Sequence, residues 1–173
     1  MGQREAGPRG RPRPAPETPT RPAGRASNYG RVMTTVTVND VFDHPAEEVW
    51  AQISDFGNVH QALRGVDPAR VEGTGLGQDR IFPLPGGDVV ERLTWCDPAA
   101  FELSYTIVTA PLPLARYVAT VRLTPDGERC QIEWQGNFDP DGQTEDEAID
   151  WATRTYRGMI KGYKALLAGA AGK

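Results

Sequence analysis

The sequence predicts an α+β fold in which a curved, seven-stranded antiparallel sheet wraps one long C-terminal helix, with two short helices after the first strand. Three observations carry that prediction. From Thr34 onward the chain has seven β-branched or aromatic runs divided by glycine, proline and aspartate turns. A proline-led amphipathic stretch separates the first run from the rest. The last segment, Thr144 to about Ala168, keeps its apolar residues at spacings of three and four.

The residues ahead of the first strand are of another kind. Residues 1–32 hold seven arginines against two acids, with six prolines, five glycines and no Leu, Ile, Phe or Trp. That is too little apolar surface to offset ordering entropy, so 1–32 is expected to be a disordered leader and 33–173 the folded domain. The leader lacks the apolar stretch of a secretory signal, and its prolines break the amphipathic helix of a transit peptide. Met33 is an alternative natural start. Residues 33–173 carry nine arginines and three lysines against 21 acids, so a phosphate-binding face, and with it a nucleic-acid partner, is not expected. No apolar window of about 18 residues occurs, which argues against membrane insertion and leaves the cytoplasm as the default location. Two cysteines, Cys96 and Cys130, are too few for a disulfide framework and lack the spacing of a zinc site. Neither a metal nor a cofactor is expected.

The elements follow in order. TTVTVNDVF from Thr34 alternates as a strand with one buried face. PAEEVWAQI then places Pro45 at the first helical position, Glu47 and Glu48 in the first turn, and Val49, Trp50 and Ile53 on one side. A second, weaker helical piece spans Asn58 to Leu63. Six further strands are expected in ARVEG, GQDRIFPL, GDVVERLTW, FELSYTIV, ARYVATVRLT and CQIEWQGNF, divided by turn residues such as Pro85-Gly86-Gly87 and Asp126-Gly127. The short connections favour antiparallel neighbours. Thr144 followed three residues later by Glu147 is a capping box that opens the long helix.

Alternation across each strand separates a concave face from a convex one. The apolar sets Phe101, Leu103, Tyr105 and Ile107, then Tyr117, Ala119, Val121 and Leu123, then Ile132, Trp134, Gly136 and Phe138 mark the concave face. On GDVVERLTW the matching set is Val89, Glu91, Leu93 and Trp95, which turns one carboxylate inward. A buried carboxylate must be paired or protonated, and the nearest candidate partner is Arg80, although Ile81 competes for the inward place on that strand. Two readings stand together: a Glu91 to Arg80 salt bridge that fixes strand register, and a polar anchor in an otherwise apolar cavity. A sheet cannot close tightly around one helix everywhere, so the gap between them is the natural small-molecule cavity. His44 reads as a capping or surface residue, His60 as a rim residue, and Trp50 and Trp151 as packing residues. The acids Asp139, Asp141, Glu145, Asp146 and Glu147 sit where a helix N-terminus favours negative charge.

Several of these pieces, in this order, resemble a known family. PAEEVW at Pro45–Trp50, Asp55-Phe56-Gly57, GLGQDR at Gly75–Arg80, Glu91-Arg92-Leu93, Asp97, Ser104-Tyr105, Pro113 with Tyr117, and then Trp134 and Phe138 resemble the START-like helix-grip proteins of the polyketide cyclase/dehydrase group, also called SRPBCC. The resemblance covers roughly Thr34 to Leu167. His60 to Arg64 departs from the family pattern, in which Trp and Pro are common at that place. The GxGxxR glycines precede a strand and not a helix, so they do not form a dinucleotide site.

The resemblance implies a small hydrophobic or aromatic ligand, bound by a monomer or homodimer, and a polyketide cyclase or dehydrase-like activity. For such aldol closure and dehydration, Arg80 would polarise an oxygen while Glu91 or Tyr105 relays a proton. Trp95, Tyr117, Trp134, Leu93, Leu103, His60, Tyr156 and Ile160 are the expected ligand-binding residues. The alternatives are a non-catalytic carrier or sensor of an apolar metabolite or lipid, and an interaction module whose cavity takes no ligand. Fold alone does not choose among them.

Overall fold

The structure is a computed structural model that describes residues 32–63 and 66–170; the expected leader, except for Val32, lies outside the described residues. Seven strands form one antiparallel sheet: β1 (Thr34–Phe42), β2 (Arg70–Glu72), β3 (Asp79–Leu84), β4 (Gly87–Asp97), β5 (Glu102–Thr109), β6 (Leu114–Asp126) and β7 (Arg129–Pro140). Their order across the sheet is β1-β7-β6-β5-β4-β3-β2. Helix α1 (Ala46–Ile53) and a 3-10 helix (Phe56–Gln61) connect β1 to β2, and the long helix α2 (Glu145–Ala170) closes the chain. This is the expected helix-grip arrangement.

Local chemistry explains the element ends. Pro45 precedes α1, whose Ala46, Val49, Trp50 and Ile53 are buried while Glu47 and Glu48 occupy its first turn. At the start of α2 the capping box forms in full. The Thr144 backbone N–H and hydroxyl both donate to Glu147 Oε2, at 2.9 and 2.8 Å, while Glu147 N–H donates back to Thr144 Oγ1 at 3.3 Å. Those bonds hold the Glu147 carboxyl below its ordinary range. Asp139, at the end of β7, is instead paired with Arg116.

The core is the concave face of the sheet with one side of each helix. Phe42, Val121, Leu123, Ile132, Phe138, Tyr156, Ile160 and Tyr163 are almost fully buried. Each such side chain contributes about 1.5–3 kcal/mol relative to exposure, so this face decides which way every strand lies. Helix α2 packs mainly on β1 and β7, one flank of the sheet. The concave face of β3, β4 and β5 is left for the cavity.

The register shifts at three places, at Val90/Glu91 and Leu93/Trp95 in the pairing of β4 with β5 and at Ala115/Val118 in that of β6 with β7, and the last two bear on residues placed by alternation. In β4 Leu93 pairs with Tyr105 but Trp95 pairs with Ser104, so Thr94 is an extra residue. Past it every side chain changes face. Trp95, expected inward, is 51% exposed on the convex face, and Cys96, expected outward, packs against the core. In β6 the register shifts between Ala115 and Val118, where Arg116 takes a left-handed φ of 51°. That kink presents Tyr117 to the interior, stacked on Phe138 with centroids 6.2 Å apart.

Candidate functional site

A cavity of about 240 Å³ lies between the sheet and α2. The sheet supplies Arg80, Phe82 and Leu84 from β3, Val89 and Glu91 from β4, Tyr105 and Ile107 from β5, and Tyr117 from β6. The opposite wall is Trp151, Thr155, Tyr156 and Met159 of α2. Val59, Leu63, Val66 and Leu112 close the remaining sides from the 3-10 helix and connecting segments. The wall is mostly apolar, with polar atoms concentrated in two pairs.

The first pair is Arg80 and Glu91, which face one another across β3 and β4 in register. Arg80, not Ile81, takes the inward place on β3 that the sequence left open. Its Nε donates to Glu91 Oε2 at 2.5 Å and its Nη1 donates to the Phe56 carbonyl at 3.2 Å. The guanidinium carbon also lies 4.0 Å from the Phe56 ring centre and 4.8 Å from that of Tyr105. Both side chains are nearly buried, at 5% and 10% exposure. Burial works against the Arg80 charge, but the Glu91 carboxylate and the nearby Tyr105 and Tyr163 outweigh it, and the guanidinium pKa is raised.

The second pair is Tyr117 and Tyr156, whose hydroxyls are 2.9 Å apart. Burial first, and then neighbouring acidic groups, pushes both phenols and Tyr105 well above the ordinary tyrosine range. At neutral pH these three are protonated donors and not bases. Tyr156 also stacks on Trp134, with centroids 5.8 Å apart and planes 14° from parallel. The Trp134 indole N–H is buried and makes no hydrogen bond among the described residues.

The structure therefore brings Arg80, Glu91, Tyr105, Tyr117 and Tyr156 to one cavity, the first four from the sheet and the last from α2. Six expected ligand residues stand elsewhere. Trp95 is on the convex face because of the β4 bulge. Leu93, Leu103, Trp134 and Ile160 do point inward, but they belong to the packed core and not to the wall, since the concave face is longer than the cavity. His60 is flanked by two wall residues, Val59 and Leu63 nearby, yet is not on the wall itself; its Nδ1 is buried without a hydrogen bond. Trp151, expected to be packing only, contributes to the wall. Phe82 and Leu84 share the parity of Arg80, so placing that arginine inward would have found them. Leu63, Val66 and Leu112 have no periodicity that points to a site.

Comparison with known proteins agrees with this architecture. A family model described as polyketide cyclase / dehydrase and lipid transport matches residues 33–168. Among solved structures, an uncharacterised protein from Bacillus thuringiensis is 23% identical, with a TM-score of 0.70 over 77% of this chain and 98% of that one. A protein from Thermobifida fusca is 26% identical, with a TM-score of 0.62 over 73% of this chain and 85% of that one. A point mutant of norcoclaurine synthase from Thalictrum flavum, solved with a transition-state analogue, shares the fold at 17% identity and a TM-score of 0.65, over 81% and 97% of the two chains. No curated protein matches in sequence. Among the described residues no helix is long and apolar enough to cross a membrane.

Proposed function

The chain belongs to the polyketide cyclase/dehydrase and lipid transport family, and from that premise we propose that it binds one small apolar or aromatic molecule in the cavity between β3–β6 and α2, as a carrier or sensor. One observation carries this reading: the charged groups of the wall pair with one another, and so do two of its phenols. Glu91 is held by Arg80, Arg80 by Glu91 and the Phe56 carbonyl, and Tyr117 by Tyr156. Groups already paired stabilise a ligand-ready cavity, whereas a general acid or base must be free to exchange protons near working pH. The phenols are far from that condition, since burial raises their pKa values.

Catalysis of aldol closure and dehydration is a second reading, favoured by the meeting of Arg80, Glu91 and Tyr105 on one stretch of wall. In it Arg80 polarises a ketone oxygen and Glu91 moves the proton. The cavity lies below the roughly 300–1,000 Å³ of drug-sized sites, which argues for a short substrate over a long poly-ketone.

Native mass spectrometry of the protein purified from its source tests the first reading. A retained small molecule, lost on denaturation, is the expected result; repeated recovery of the empty chain, together with no uptake of aromatic probes, overturns it. For the second reading, loss of product formation in folded Glu91→Gln and Arg80→Met variants is required, and unchanged turnover in both removes it.

A further inference from the structure

We infer that two copies of this chain pair reversibly through the convex face of the sheet, about a two-fold axis running between β5 and β6, with Trp95 of each copy as the anchor. This face lies on the side of the sheet away from the cavity. Its exposed large apolar residues are Trp95, Val108 and Val118, at 51%, 47% and 39%. Register places Trp95, Ser104, Thr120 and Gln135 in one uncharged row across β4–β7. The row beside it is Asp97, Glu102, Arg122 and Glu133. An aromatic anchor beside uncharged groups, with charge set to one side, is the composition of an interface and not of an ordinary solvated face.

Charge chooses the partner. Residues 33–173 hold nine arginines and three lysines against 21 acids, so two copies repel over most of their surface. On this face the charges are already paired. Arg122 lies 2.6 Å from Glu102 and 3.6 Å from Glu133, and Arg92 lies 2.7 Å from Asp79. Asp97 accepts from the Ala99 and Ala100 N–H groups of its own turn. A face of one sign calls for a partner of the other, whereas a face of mixed sign suits its own copy. With the axis between β5 and β6, Glu102 of one copy faces Arg122 of the other, Ser104 faces Thr120, and Trp95 rests on Gln135. Four strands about 4.8 Å apart, over the eight residues of β5, give roughly 500 Å² per copy. The total of about 1,000 Å² is at the lower limit of specific pairing. The dimer is therefore weak, with a Kd on the order of 100 µM, and at low micromolar concentration Trp95 stays open to solvent.

Sedimentation velocity of the full chain, from about 5 to about 500 µM, tests this. The expected result is a monomer at the lower end and a growing dimer fraction at the upper end, with acrylamide losing access to Trp95 fluorescence in step. Trp95→Glu weakens the pairing roughly thirtyfold, as loss of an interface anchor does. Arg122→Glu and Glu102→Arg, both at side chains that reach water and each checked for folding by circular dichroism, fail to pair alone. Mixed together they pair, because each then meets the opposite charge in the other. A chain that stays monomeric over the whole range overturns the inference. So does association that Trp95→Glu leaves unchanged, or a mixture of the two charge variants that pairs no better than either one.

Discussion

Gly136 of β7 and Tyr156 of α2 occupy one shared space: the Tyr156 hydroxyl lies where any side chain at position 136 would project. The helix is thereby able to lower a large phenol onto the sheet, where it meets Tyr117 and stacks on Trp134. The glycine is required for closeness and not for an unusual backbone angle.

Gly136→Ala should therefore displace the Tyr156 ring into the cavity and break the hydroxyl pair. Overpacking of this kind costs about 1–3 kcal/mol, and urea denaturation should show it as a lower midpoint with unchanged slope. Adding Tyr156→Phe, which removes the nearest colliding atom, should recover part of the loss. An alanine variant of wild-type stability would mean that the helix shifts freely over the sheet.

The Arg80 and Glu91 charges predict a non-additive pair. Arg80→Met alone strands a buried carboxylate and should cost about 3–5 kcal/mol, whereas Arg80→Met/Glu91→Leu should regain most of it. A double-mutant cycle in denaturant measures the coupling. Additive losses would show that the two side chains contribute independently, contrary to their 2.5 Å contact.

Stability should fall at high pH. Burial raises the pKa values of Tyr105, Tyr117, Tyr156 and Tyr163, the last to about 12, from an ordinary value of 10.0. A raised folded pKa gives stability that is complete below 10.0, declines as the unfolded phenols ionise, and is exhausted once pH passes the folded values. Phenolate absorbance of these residues should rise together with unfolding, and not ahead of it.

The acid limb has the opposite sign. Hydrogen bonds from Lys164, Arg92 and Thr144 lower the carboxyl pKa values of Asp40, Asp79 and Glu147 below their ordinary 3.8, 3.8 and 4.5. Their contribution is present above those ordinary values and is lost as pH falls through the lower folded ones. Asp79→Asn and Glu147→Gln should flatten the acid decline in a pH series of thermal melts, by small amounts because both sites face water.

Trp95 should behave as a surface residue. Trp95→Thr is expected to change stability by less than about 0.5 kcal/mol and to remove the fluorescence component most accessible to acrylamide. A loss of several kcal/mol would place the indole in the core and contradict the β4 bulge.

That tryptophan also marks where strand alternation stops being readable. Parity identified Tyr105 correctly because β5 pairs regularly with β6 around it, whereas Glu91 and Tyr117 keep their inward places although the ladder shifts register beside each of them. A bulge adds one residue through pairing with a neighbouring strand, so nothing in GDVVERLTW itself announces that Trp95 and Cys96 exchange faces. The α2 start was legible, since a capping box is written within four residues. The cavity wall was legible only in part. Leu63, Val66 and Leu112 come from irregular segments whose position is set by tertiary packing, and the meeting of Gly136 with Tyr156 joins two residues from separate periodic patterns.

The sheet order has a consequence for how the chain is made. β1 and β2 are successive strands but lie on opposite edges, and among the described residues β1 pairs only with β7, from Thr34 with Phe138 to Phe42 with Cys130. During synthesis β1 emerges long before β7, the strand it pairs with. It must wait, with unpaired N–H and C=O groups and its Val36 and Val38 side chains uncovered, until β7 has left the ribosome. Such long-range closure slows folding and leaves a sticky segment open to other nascent chains. Helper proteins that hold an extended strand would find a binding site there.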